Sequence, residues 1–217
     1  MNLSVLIGTC DKYSPLWENF SICFNRYWQI DTNNIFVGET KEVPNFKTIL
    51  CDVNRPWGER MLTGIEECSD YIFFILDDYF FHTSFTFDQI NTYVQDANMF
   101  NINRLQIAPS SLQQYALDPL CPYNSIVDTS KYILSMQPSI WKKSFLKKVL
   151  LKEYSPWDFE LTGSRVLHTL RDKQTTCKHR VYIDQNAPDC YFNAVRVGFK
   201  KSPRWEEFKN REQLKEF

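Results

Sequence analysis

Residues 71–76 read Tyr-Ile-Phe-Phe-Ile-Leu, and two adjacent acids, Asp77 and Asp78, follow at once. An apolar run of this length and aromatic content predicts a strand buried on both faces, in a sheet covered by layers above and below. Two carboxylates at its end are costly unless they reach water, a cation or hydrogen-bond donors. Any fold proposed for this chain must give them such a place.

The flanking sequence supplies the rest of the sheet. Leu-Ser-Val-Leu-Ile-Gly-Thr, from Leu3 to Thr9, is a first strand ending at a Gly-Thr turn. Leu16, Phe20, Cys23, Phe24 and Tyr27 recur at helical spacing. Strands are predicted at 34–39 and 46–52, and Met61, Leu62, Ile65 and Cys68 stripe a helix before the run at Tyr71. Strands alternating with helices imply βαβ units and a largely parallel sheet. The expected class is α/β, a single domain with a mostly parallel central sheet flanked by helices.

The second half is less regular. A helix over 86–100 and a strand over 104–109 are expected, and 109–129, with Pro109, Pro119 and Pro122, reads as a long binding loop or lid. Residues 132–141 read as a strand, and Trp141, Phe145, Leu146, Val149 and Leu150 stripe the following helix. Another helix opens at Ser155-Pro156, Ser as N-cap and Pro at its first position. The tail over 196–217 carries seven basic residues against four acidic ones and ends in a charged helix from about Pro203.

Composition narrows the class of function. The chain has 217 residues, enough for one large domain with an adequate core. A formal net charge of -1 argues against a nucleic-acid binder, which would carry a basic excess. Seven cysteines without a CxxC pair fit a reducing compartment rather than a disulfide framework or zinc site. No apolar segment approaches the roughly 20 residues that span a bilayer, and the start of the chain has no signal-peptide pattern. A cytoplasmic protein is expected, with a peripheral position at the inner face of the membrane as a variant of that reading.

In open α/β sheets ligands bind beyond the carboxyl ends of the strands. Asp77 and Asp78 lie there, as do Thr9, Cys10 and Asp11 after the first strand and Glu39 and Thr40 after the second. Acids converging on one edge suit a hard divalent cation, Mg2+ or Mn2+, shared with substrate phosphates.

The segment from Trp57 to Phe80 resembles the nucleotide-sugar site of GT-A-fold glycosyltransferases. Gly58 and Arg60 match a Gly followed by an Arg that opens a helix, and Asp77 and Asp78 match the DXD-type acids at the next strand end. The stretch over 134–165, with Trp157, Phe159 and Glu160, looks like the acceptor half of bacterial surface-polysaccharide (lipopolysaccharide or capsule) glycosyltransferases. The resemblance implies a nucleotide-sugar half at 1–100, an acceptor half at 101–195 and a charged tail at 196–217. It implies Thr9, Asp11, Glu39, Arg60 and Asp77 at the donor, and Asp78 with Asp77 on the metal. Its acceptor side takes in Gln137 and Trp157, and Lys200 and Lys201 are offered to diphosphate or to an anionic membrane. The implied partners are a nucleotide-diphosphate sugar and a glycan or lipid-linked glycan.

In inverting members an acid on the second-half helix removes the proton from the acceptor hydroxyl. Two residues compete for it here. Asp158 lies three after Ser155, where a carboxylate completes a capping box and so has a local structural task. Glu160 has none and is the expected base, with Asp158 as alternative; retention of configuration stays open. Trp57 serves either the sugar site or the core, and His82, His168 and His179 are too scattered to suggest a metal centre. Two rival functions remain, a nucleotidyltransferase acting on a sugar phosphate and a non-catalytic nucleotide- or glycan-binding protein.

Overall fold

A computed structural model of the protein describes residues 1–108, 115–127, 130–169, 180–187, 189–196 and 200–217. In chain order its elements begin with β1 (Leu3–Gly8), a short 3-10 turn (Asp11–Leu16), α1 (Trp17–Tyr27), β2 (Asn33–Gly38) and β3 (Lys47–Leu50). Then come α2 (Trp57–Glu66), β4 (Tyr71–Leu76), β5 (Tyr79–Phe81), α3 (Phe87–Met99), β6 (Arg104–Gln106), β7 (Tyr115–Ala116) and β8 (Asn124–Ile126). The chain continues through β9 (Ser139–Lys142), α4 (Lys143–Val149), α5 (Pro156–Asp158), a π-helical segment (Phe159–Gly163) and α6 (Ser164–Thr169). It closes with β10 (Val181–Ile183), β11 (Tyr191–Asn193), β12 (Val195–Arg196), β13 (Lys200–Lys201) and α7 (Trp205–Glu212). Cys177, His179 and the side chain of His168 lie outside the described residues, as do 109–114 and 128–129 of the long loop.

The main sheet runs β3-β2-β1-β4-β9-β6-β10-β8-β7. Pairings β3-β2, β2-β1, β1-β4 and β6-β10 are parallel, and β9 runs antiparallel between β4 and β6. Successive side chains of a strand point to opposite faces, and the two cores divide on that basis. Tyr71, Phe73 and Ile75 of β4 pack with α1, α3 and α7, while Ile72 and Phe74 pack with α2, α4 and Phe159. Covering layers on both faces explain why the run has no polar position. Trp28, stacked on Phe73 with centroids 4.8 Å apart, anchors the first layer.

The second half departs from expectation in one element. Of the strand predicted over 132–141, only Ser139–Lys142 forms. Pro138 has no N–H for a ladder, and residues 131–134 form turns. The loop over 133–137 binds side chains instead of a neighbouring strand, as described below. In the first half, the helix predicted from the spacing of Leu16 to Tyr27 begins at Trp17, after a 3-10 turn containing Pro15.

Within the long loop, 115–127 contains the β7–β8 pair at the sheet edge. The six described cysteines are free. No helix among the described residues is long and apolar enough to cross a membrane.

Candidate active site

Register aligns three strand ends. Gly8 of β1 pairs with Val37 of β2 and with Leu76 of β4. The next residues, Thr9, Glu39, Asp77 and Asp78, therefore emerge together at the carboxyl edge and line one cleft of about 600 Å³. Arg60 and Trp57 of α2, Tyr79 of β5, Met136, Trp157, Glu160, Asn193 and Val195 complete its walls.

The two aspartates face different surroundings. Asp77 is buried, and its Oδ2 accepts hydrogen bonds from Thr9 Oγ1 and, at 3.0 Å, from Trp17 Nε1. Burial, with the Asp78 charge next door, holds its pKa well above the usual carboxylate value despite those donors. Asp78 has its Oδ1 buried without a partner. With the Asn193 amide nitrogen turned toward it, Asn193 donates to Asp78 Oδ2 at 3.2 Å and to the Val195 carbonyl at 2.6 Å. Burial pushes the Asp78 carboxyl up to about 7.

This donor set fits a cation of limited protein ligation. No group of three or more His, Cys, Asp or Glu side chains among the described residues is arranged to hold a metal ion. The unsatisfied Asp78 oxygen suits a hard cation that keeps several waters and takes its other ligands from phosphate, as Mg2+ does. A closed protein cage is not present among these residues.

Arg60, 7% exposed, pairs through Nη1 with Glu39 Oε1 at 2.9 Å. Its Nε is buried without a partner. A guanidinium held beside the cleft with a donor unspent is ready to meet an anion. The first turn of α2 is otherwise occupied. Gly58 N–H donates to the Tyr154 carbonyl at 2.8 Å and Glu59 N–H to the Lys152 carbonyl at 3.0 Å. A Cβ on Gly58 would lie 2.1 Å from the Leu151 carbonyl oxygen, so this close approach requires glycine.

Glu160 occupies the π-helical segment after α5. Such wide turns are rare and recur at functional sites. Its Oε1 accepts from Met136 N–H at 2.6 Å. Burial raises the Glu160 pKa, opposed by the Met136 amide, the Arg104 charge and the Ser135 hydroxyl. A buried carboxylate whose pKa is raised above the usual range suits a general base.

The other expected site residues divide between the cleft and places away from it. The Asp158 carboxylate closes a capping box on Ser155, accepting from its N–H at 3.1 Å and its Oγ at 2.6 Å, and does not line the cleft. Asp11 ties two loops together: it accepts from Thr40 and Lys41 N–H at 3.1 and 3.2 Å, and its own N–H donates to Glu39 Oε2 at 2.9 Å. Gln137 Oε1 accepts from Gln106 Nε2 at 2.6 Å, behind the cleft wall. Lys200 and Lys201 lie exposed on the β12–β13 hairpin, with Lys201 paired to Glu216. Trp57 packs on Phe74 and Phe159 as well as lining the cleft, while Trp157 stands 58% exposed at its rim. His82 faces a separate cavity of about 390 Å³, its Nε2 4.0 Å from Asp189 Oδ1.

Several cleft residues carried no sequence signal. Tyr79 follows the aspartates directly, so its place next to them was available from adjacency alone. Asn193 and Val195 come from a distant segment without motif or periodicity to mark them.

No protein-family model matches the sequence, and no curated protein sequence matches it. Among solved structures, the fold is similar to S. aureus TarS 1-349, with a TM-score of 0.55 and 11% identity over 88% of this chain and 60% of that one. It is also similar to S. aureus TarS, with a TM-score of 0.54 and 13% identity over 90% of this chain and 37% of the other. A cytidylyltransferase from Leptospira borgpetersenii aligns with a TM-score of 0.45 and 12% identity, over 85% and 82% of the two chains. This chain thus spans about 60% or less of the two TarS structures. At these identities the likeness shows the fold alone, a single α/β domain with a mostly parallel central sheet flanked by helices, as in the TarS structures.

Proposed function

We propose that this chain is a glycosyltransferase. It moves a sugar, with inversion, from a nucleotide-diphosphate sugar to a hydroxyl of a glycan or lipid-linked glycan in surface-polysaccharide synthesis. The observation that carries this reading is one cleft, on a GT-A-like fold, that holds the Asp77-Asp78 pair, Arg60 and Glu160 together.

The proposed roles follow from local chemistry. Thr9 and Glu39 border the nucleotide. Arg60 exchanges its Glu39 partner for diphosphate oxygen and offsets leaving-group charge. Asp78, supported by Asp77, would hold Mg2+ or Mn2+, which neutralises diphosphate charge when bound. Glu160 takes the acceptor hydroxyl proton as that oxygen bonds to the anomeric carbon. The bond from that carbon to phosphate breaks, and the nucleoside diphosphate leaves with the electron pair. Trp157 at the rim offers an aromatic face to the acceptor sugar, and Asp158 supports the helix start.

The test combines binding and turnover. A thermal-shift panel of nucleotides and nucleotide sugars, with and without Mn2+, is expected to show stabilisation by at least one donor that depends on the cation. Glu160→Gln is expected to abolish transfer while donor binding persists. Weakened donor binding with transfer preserved would sink the assignment of the base. Pyrophosphate release from a nucleoside triphosphate and a sugar phosphate would identify a nucleotidyltransferase instead.

A further inference from the structure

Arg104 of β6 is fully buried, at 0% exposure, yet its hydrogen bonds among the described residues go to carbonyl and amide oxygens and to no carboxylate. Burial lowers its pKa to about 9, so it remains charged at neutral pH. Its guanidinium lies 5.1 Å from the Trp141 ring centroid, and its Nε has no hydrogen-bond partner. An apolar residue of similar volume would fill this place at less cost, because a buried charge is weak evidence for stability. What the arginine does hold is a loop. Nη2 donates to the Ser135 carbonyl at 2.9 Å and to Gln106 Oε1 at 2.7 Å, and Nη1 donates to the Ile133 carbonyl at 3.4 Å.

That loop is fastened along its length. Leu134 N–H donates to Ser164 Oγ at 3.0 Å, and Gln106 Nε2 donates to Gln137 Oε1 at 2.6 Å. Between those ties lie the two groups that hold the Glu160 carboxylate: the Met136 N–H, 2.6 Å from Oε1, and the Ser135 hydroxyl.

We propose that Arg104 is a positioning residue for Glu160. From inside the core its forked donors fix the Ile133 and Ser135 carbonyls, and so aim the Met136 amide and the Ser135 hydroxyl at the carboxylate. The inference rests on Glu160 being the base. The charged or titratable groups facing Glu160 are Arg104 from β6, Tyr79 from β5 and Tyr191 from β11. Arg104 is the only cation among those three.

The experiment follows the Glu160 carboxyl by 13C NMR titration, assigned through its absence in Glu160→Gln, together with kcat and KM against pH. In Arg104→Met, the Glu160 midpoint is expected to rise by about one pH unit through loss of a nearby cation and disordered donors. The acid limb of kcat should move with it, and donor KM should stay within about twofold, as for an interaction expressed only in the transition state. Arg104→Lys keeps the charge but not the planar fork, so kcat is expected to recover only in part. A folded Arg104→Met with unchanged Glu160 midpoint and unchanged kcat would overturn the proposal. Should that variant not fold, Ser135→Ala asks the same question from the loop side, and an unmoved Glu160 midpoint there would overturn it equally. Transfer surviving in Glu160→Gln would instead sink the base assignment, and the titration would still report on the link between Arg104 and Glu160.

Discussion

Asp77 and Asp78 adjoin in the chain but are satisfied by opposite means: Asp77 accepts from Thr9 and Trp17, whereas Asp78 keeps a buried oxygen with no donor. The first is fixed into the wall of the cleft, and the second is left for a ligand.

A pH-dependent stability follows for the protein without ligand. The Asp78 pKa is raised from 3.8 in the unfolded chain to about 7 in the fold, so the folded state binds the proton more tightly. Stability is then greatest below about pH 4 for this group and falls as pH rises toward 7. Asp78→Asn should raise stability at pH 8 by about 1–3 kcal/mol, a partial expression of that shift at 1.36 kcal/mol per unit. The gain should vanish near pH 4. Urea unfolding at the two pH values checks it, and an equal effect at both would contradict it.

Cation-dependent nucleotide binding should separate the same pair. Asp78→Asn is expected to abolish the Mn2+-dependent part of the thermal shift. Thr9→Val, which removes a donor to Asp77, should leave most of that shift in place.

Gly58→Ala should destabilise the fold. The added Cβ meets backbone at 2.1 Å, which no rotamer change relieves. A loss of about 1–3 kcal/mol is expected from overpacking of this kind, read as a lower midpoint in chemical denaturation.

Ser155→Ala removes the cap of α5 and should cost about 1 kcal/mol. Asp158→Asn, on the other half of the capping box, should lower the melting temperature slightly and leave kcat near that of the parent. The Ser155 bonds hold Asp158 below its usual pKa, so its contribution is present above the unfolded value and fades in acid. A collapse of kcat in Asp158→Asn with folding intact would return Asp158 to candidacy as base.

Glu212 joins α7 to α1. Its carboxylate accepts from Arg26 Nη1 at 2.9 Å, Tyr27 Oη at 2.6 Å and Arg211 Nε at 2.9 Å. Burial pushes it up, but those donors outweigh it and the net shift is downward. Glu212→Ala should cost about 1–2 kcal/mol by removing the acceptor of Tyr27 and Arg211, while Arg26, 42% exposed, keeps its 3.0 Å bond to the carbonyl of residue 212. The difference from the parent should shrink as pH falls through the Glu212 pKa, which acid unfolding curves measure.

Local chemistry made a good part of this structure legible in advance. The β4 run, the β1 turn, the α2 stripe and the Ser155-Pro156 start each state their rule within a few residues, and the structure repeats them. The acids at the strand ends were locatable because parallel topology sends successive strand ends to one edge. Glu160 was distinguishable from Asp158 because the capping box accounts for Asp158 alone. Its wide turn was not visible, since no residue pattern specifies a π segment. The strand expected at 132–141 forms only from Ser139, because the residues before it make a loop held by side chains from β6 and by Glu160. Arg104 looked like any strand-end cation, and only its burial reveals its task. Asn193 reaches Asp78 from 115 residues away, a relation that pairing of β11 with β5 creates and that no local pattern carries.

The amide bonds from Gly58 and Glu59 to Tyr154 and Lys152 have a mechanical consequence. They bolt the segment bearing Arg60 to the segment that leads into Glu160, so those two side chains ride on one girder. The opposite lip, where Tyr79, Asn193 and Val195 sit, rests on the short strands β5, β11 and β12 instead. The spacing between Arg60 and Glu160 is therefore set by backbone hydrogen bonds rather than by side chains.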